Sequence, residues 1–74
     1  MANTLTQSTA AAVRELLRRR SLRQADLAMA LGLSPGAVSD RLRGRTPFTL
    51  ADLERIAELL EVPVSELLQP RAAA

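Results

Sequence analysis

The feature that most constrains this chain is a three-residue junction, Gly32-Leu33-Ser34, that stops one helix and starts another. Upstream, Leu27, Ala28 and Leu31 recur at helical spacing and predict a helix from Gln24 to Leu31. Gly32 follows directly, where a residue free to take the left-handed conformation closes a helix. Ser34 offers an N-cap oxygen, and Pro35 suits the first helical position, which needs no amide hydrogen. Leu33 and Val38 have the spacing of a hydrophobic staple across that start. The helix so begun is expected to reach Arg43 and stop at Gly44. A chain of 74 residues with no cysteine has no staple of its own. At that size only about 60% of the unfolded surface is buried, so short helices must be held by close packing.

The rest of the sequence supplies the helices to do so. Ala12, Val13, Leu16 and Leu17 predict a first helix from about Ser8 to Arg20. On it Glu15 and Arg19 form a favourable pair four residues apart, whereas Arg14 and Arg18 repel. Thr46-Pro47 breaks the chain, and Thr49 caps a fourth helix with Asp52 at the capping-box position and Phe48 and Leu53 at staple spacing. Leu50, Leu53, Ile56, Ala57 and Leu60 are its expected apolar stripe, and Glu54, Glu58 and Glu61 its wet side. Pro63 opens a short fifth helix with Val64, Leu67 and Leu68 inward, ended by Gln69-Pro70. There is no strand pattern and no internal repeat. The expectation is one all-α domain over residues 8–69, with a flexible lead (1–7) and a flexible tail (70–74).

Composition narrows the function. With neither His nor Cys, zinc or haem ligation and thiol nucleophiles are excluded, and the eight carboxylates form no cluster suited to acid–base work. No enzyme, metal or cofactor is expected. No apolar run approaches the roughly 20 residues of a membrane span. Residues 1–12 lack the features of a signal peptide, so a cytoplasmic location is expected. The net charge of +2 hides a division: residues 1–45 carry eight Arg against Glu15, Asp26 and Asp40, an excess of +5, while residues 46–74 carry −3. One end is built to meet a polyanion. Arg18, Arg19 and Arg20 have two readings, complementing a helix dipole or contacting phosphate.

Gln24 to Gly44 has the layout of a helix-turn-helix, two short helices joined by a three-residue turn containing glycine. Ala28 is small where the helices cross, and Leu27, Leu31, Leu33 and Val38 make the core that sets their angle. Gly36, Ala37, Ser39, Asp40 and Arg43 are left on the outer side, small and polar enough for a close approach to base edges.

In detail, Gln24-Ala25-Asp26-Leu27-Ala28, Leu31-Gly32-Leu33-Ser34, Val38-Ser39 and Gly44 resemble the Cro and lambda-repressor class of helix-turn-helix proteins, often called XRE-type. Thr49-Leu50, Leu53, Ile56-Ala57 and Leu60 are similar to that family's fourth helix, so the resemblance spans about residues 10–68. It implies a five-helix, lambda-repressor-like domain with a central helix-turn-helix. Arg41-Leu42-Arg43-Gly44-Arg45 with Pro47-Phe48 is similar to actinobacterial and phage versions, which implies a small Cro or immunity repressor.

The resemblance implies a sequence-specific regulator of transcription that binds double-stranded DNA with residues 34–43 in the major groove. Gln24, Arg43 and Arg45 match phosphate-contacting positions, and Arg23 and Ser34 are assigned with them. Gly36, Ala37, Ser39 and Asp40 match base-facing positions, and Arg41 is placed beside them. The sequence departs from the family's pattern at three places. Arg23 replaces a Ser or Thr cap; Gly36 and Ala37 cannot make bidentate base contacts; and Arg41 replaces an apolar residue, its stem packing while its head reaches DNA or a carboxylate such as Asp26. Asp40 has three readings: a repulsive filter, a partner of Arg43, or an acceptor for a cytosine amino group. The implied partner is a palindromic operator bound by a weak homodimer that forms on DNA. The alternatives are an antitoxin-type autorepressor and a protein-interaction module on the same scaffold.

Overall fold

The computed structural model describes residues 4–68, which form five helices: α1 (Thr4–Arg19), α2 (Gln24–Leu31), α3 (Pro35–Leu42), α4 (Leu50–Leu60) and α5 (Val64–Leu68). The all-α expectation holds. α1 starts earlier than the apolar spacing predicts, because its first turns bury polar residues. Ser8 and Thr9 lie inside, and the Ser8 hydroxyl donates to the Leu5 carbonyl at 3.1 Å, which satisfies it within the helix. Residues 4–7 of the expected flexible lead are therefore helical; residues 1–3 and the expected tail at 70–74 lie outside the described residues.

The caps follow the sequence closely. The Ser34 hydroxyl accepts from the Ala37 amide at 3.2 Å, opening α3. Thr49 and Asp52 exchange hydrogen bonds, each 3.0 Å, at the start of α4. Arg23 leaves α2 without a cap oxygen, and Asp26 compensates by accepting from the Arg23 amide at 2.8 Å. α3 ends one residue sooner than expected, at Leu42, with Arg43 as its cap.

Gly32 has φ +66° and donates to Ala28 and Met29, and Leu33 closes the turn onto Ala28 at 3.1 Å. The same left-handed closure appears at Ser21 (φ +56°) after α1 and at Glu61 (φ +58°) after α4. Neither residue is glycine, so nothing in the sequence marks these turns. Tertiary packing holds them against a cost of about 1–2 kcal/mol each.

α2 packs on α3 and α4; α1 packs on α3, α4 and α5; α4 packs on α5. The core takes Val13 and Leu17 from α1, Leu27 and Leu31 from α2, Val38 and Leu42 from α3, Leu53, Ile56 and Leu60 from α4, and Leu67 from α5. Each such side chain stabilises by about 1.5–3 kcal/mol. One expected core residue is absent: Leu50 is 73% exposed. As the first residue of α4 it lies at the rim, lining a shallow 190 Å³ groove with Leu5, Pro47, Phe48 and Leu68.

Two substitutions test the left-handed turns in opposite directions. Gly32→Val should lower stability by about 1–3 kcal/mol, since a β-branched residue resists positive φ even though the space around Gly32 is open. Glu61→Gly should raise it by up to about 1 kcal/mol, because relief of the strain exceeds the entropy glycine costs. Urea unfolding measures both; an unchanged midpoint for Gly32→Val would mean the α2–α3 turn is built otherwise.

Candidate nucleic-acid interface

α3 is polarised by its own burial. Val38 and Leu42 are sealed into the core, which turns Gly36, Ala37, Ser39 and Asp40 toward the outside. Gly36 is exposed, and a methyl group added there would meet nothing within 4 Å. Ala37, Ser39 and Asp40 are half-buried at the sides of this face, so α3 presents a low ridge with no bulky side chain. A surface of that shape admits close contact with a flat or grooved polymer.

Exposed cations lie at the end of the ridge and at the start of α2. Arg43 caps α3 and is exposed, Arg45 follows in the loop, and Arg23 and Gln24 stand exposed at the start of α2. Ser34 is exposed while serving as the α3 cap. The nearby carboxylates hold these arginines loosely: Asp40 lies 3.9 Å from Arg45, and Asp26 lies 4.0 Å from Arg23. Asp40 therefore pairs with Arg45, five residues on, and not with Arg43. Pairs this exposed are worth little and yield readily to a competing anion.

Arg41 departs from the expectation. Its side chain is only 19% exposed and faces α4, where Nε lies 3.7 Å from Asp52. Nη1 donates back to the Ala37 carbonyl at 3.1 Å. The stem packs as expected, but the carboxylate it finds is Asp52, not Asp26, and its guanidinium does not join the outward ridge.

Two residues of the site escape sequence reasoning. Arg14 of α1 donates to the Leu42 carbonyl, and the Gln7 amide donates to the Gly44 carbonyl at 3.2 Å. Arg14 meets the C-terminal end of α3, whose last carbonyls lack partners within the helix and attract positive charge, while Gln7 holds the loop just beyond it. That need was the one available signal; the partners lie 28 and 37 residues away in sequence.

At the end of α1, Glu15 binds Arg18 at 2.8 Å and Arg19 at 3.0 Å. The Arg18 guanidinium, then that of Arg19, holds the Glu15 carboxyl below its ordinary value of 4.5. A depressed carboxyl contributes stability that is present above its unfolded pKa and lost as pH falls toward the folded one. Glu15→Gln should therefore lower the melting temperature at pH 7, and the difference from wild type should shrink once pH falls below about 4. A difference that grew on acidification would contradict the pairing.

A helix-turn-helix family model matches residues 13–67, which include the whole α2–α3 unit. No curated protein matches the sequence. Solved structures do. The restriction-modification controller protein C.AhdI from Aeromonas hydrophila superposes with a TM-score of 0.75 at 27% identity, covering 84% of this chain and 94% of its own. The hypothetical transcription factor NHTF from Neisseria gives 0.79 at 30% identity, with 89% and 76% covered. The clp gene regulator ClgR from Corynebacterium glutamicum gives 0.79 at 27% identity, with 89% and 86% covered.

Proposed function

This chain belongs to the helix-turn-helix family of DNA-binding transcriptional regulators, and we propose that it reads a double-stranded operator by laying α3 in the major groove. The observation that carries this reading is the ridge of Gly36, Ala37, Ser39 and Asp40, low and outward-facing, with exposed arginines at its end and at the start of α2. Gly36 and Ala37 let the helix approach, and Ser39 and Asp40 supply the groups that discriminate bases. Arg23, Gln24, Ser34, Arg43 and Arg45 bind the phosphates on either side and set register, not sequence. Arg41 belongs with the scaffold.

The described helices include none long and apolar enough to cross a membrane. We place the protein in the cytoplasm, on the DNA it regulates. We also infer that two copies pair on a two-fold operator, because one eight-residue helix reads too few base pairs for a useful specificity ratio. Pairing would use the loop around Thr46–Phe48 with α4 and α5, and the exposed Leu5 and Leu50 beside the rim groove support that side. Val62, Val64 and Leu68, the apolar residues the sequence offers for this purpose, pack partly against the core. The remaining patch is small, which favours a dimer that is weak in solution and cooperative on DNA.

Titration of duplex binding against salt should give a log–log slope of about −4 to −5 per domain, for roughly four to six phosphates neutralised. A flat response would remove DNA as the partner. Arg43→Ala should weaken binding to all sequences alike and reduce the slope by about one, whereas substitutions at Ser39 or Asp40 should change the preferred base. A shift of base preference in Arg43→Ala, with the slope intact, would reverse these roles. For the paired mode, a full palindrome should bind two chains with higher affinity per half-site than an isolated half-site; one chain per palindrome at equal affinity would rule it out.

A further inference from the structure

We propose that the Arg41–Asp52 pair is a positioning strut that sets the rotation of α3 against α4 and thereby controls sequence discrimination, without either residue touching DNA. The proposal rests on the DNA-reading function above.

The backbones of α3 and α4 stay more than 8 Å apart at every Cα among the described residues, so side chains must span the gap between them. Arg41 and Asp52 do so, with side chains 19% and 15% exposed and their charged atoms 3.7 Å apart. Each end is tied to its own helix. Arg41 Nη1 bonds the Ala37 carbonyl one turn back, on the turn that carries Ala37 and Asp40 at the outward ridge. Asp52 Oδ2 accepts from the Thr49 amide at 3.0 Å and so belongs to the rigid cap of α4. Arg41 Nε is buried with no hydrogen-bond partner among the described residues, and the Asp52 carboxylate is the charge that faces it.

Stability alone gives no reason for this arrangement. An apolar pair of similar volume commonly does as well or better than a largely buried ion pair, because desolvation offsets the attraction. What charge adds is a specific partner: an apolar contact tolerates a slight roll of α3, whereas a roll would carry the guanidinium, tied to the Ala37 carbonyl, away from the carboxylate that faces its buried Nε. A roll would move Ser39 and Asp40 relative to base edges while leaving the flexible arginines able to reach phosphate.

The test uses the complete chain and a site selected by the wild type from random duplex DNA. Affinities for that site and for random-sequence duplex are measured at one fixed salt concentration, with melting curves to confirm folding. Arg41→Met keeps an unbranched apolar stem, and Asp52→Asn keeps an acceptor for the Thr49 amide. Each should lower the selected-to-random ratio about tenfold, the scale of one mismatched base pair, with random-DNA affinity and salt slope unchanged. The double variant should lose no more than either single one, as a coupled pair requires, and Arg41→Lys should restore part of the ratio. If Asp52→Asn leaves or raises the ratio while Arg41→Met lowers it, Arg41 reads DNA directly and the strut is wrong. Additive losses in the double variant, or equal losses on both DNAs with a reduced slope, overturn it as well. A wild-type chain with no salt-dependent duplex binding would sink the function first, a result distinguishable because no variant is then needed.

Discussion

The structure depends on the burial of Val38 and Leu42 in a core shared with α1, α2 and α4. α3 has eight residues, too few for a stable helix in water, where nucleation is costly and about 12–15 residues are needed for even marginal helicity. Its caps at Ser34 and Arg43 help, but the apolar side chains hold it down. The same contact aims it. With Val38 and Leu42 committed inward, helical geometry turns Gly36 and Asp40 away from the core and leaves Ser39 on the flank, so the force that folds the helix also presents the ridge.

Polar contacts then trim what the core sets. The C-terminal end of α3 is bonded by Arg14 and the loop just beyond it by Gln7, both from α1, and the flank of α3 is tied to α4 through Asp52. These are more specific than apolar packing because the hydrogen bonds depend on direction as well as distance and the ion pair requires an opposite charge at one place. They also explain an apparent excess of arginine. Arg14 and Arg41 serve the scaffold; Arg18 and Arg19 are paired with Glu15; Arg23, Arg43 and Arg45 remain exposed, with only loose partners or none among the described residues.

Charge is segregated along the chain for a reason the fold makes visible. These exposed cations sit at the start of α2, at the end of α3 and in the loop behind it, while Glu54, Glu58 and Glu61 lie on the exposed side of α4. On the proposed reading, such a separation would draw a polyanion to the α2–α3 side and orient the encounter before any specific contact forms. The weak ion pairs at Arg23 and Arg45 are suited to this role, because they exchange one anion for another at little cost.

The helices, their caps and the α2–α3 turn were legible in the sequence because each is written within three or four residues: Ser34 to Ala37, Thr49 to Asp52, Leu31 to Gly32. The inward faces of α2 and α3 were legible for the same reason, since helical periodicity is local. The first turns of α1 were not, because Ser8 and Thr9 are polar residues buried by packing. The left-handed turns at Ser21 and Glu61 were not, because the residues there carry no preference for them. Leu50 read as core, and only the position of the rim showed that no described residue covers it. Arg41 read as facing DNA or Asp26, and only the approach of α4 decided for Asp52. What the sequence determined is the set of elements and the outward face of α3, which short-range stereochemistry dictates. What the tertiary structure decided is the partners of Gln7, Arg14 and Arg41, because a bond between distant residues depends on how whole helices pack.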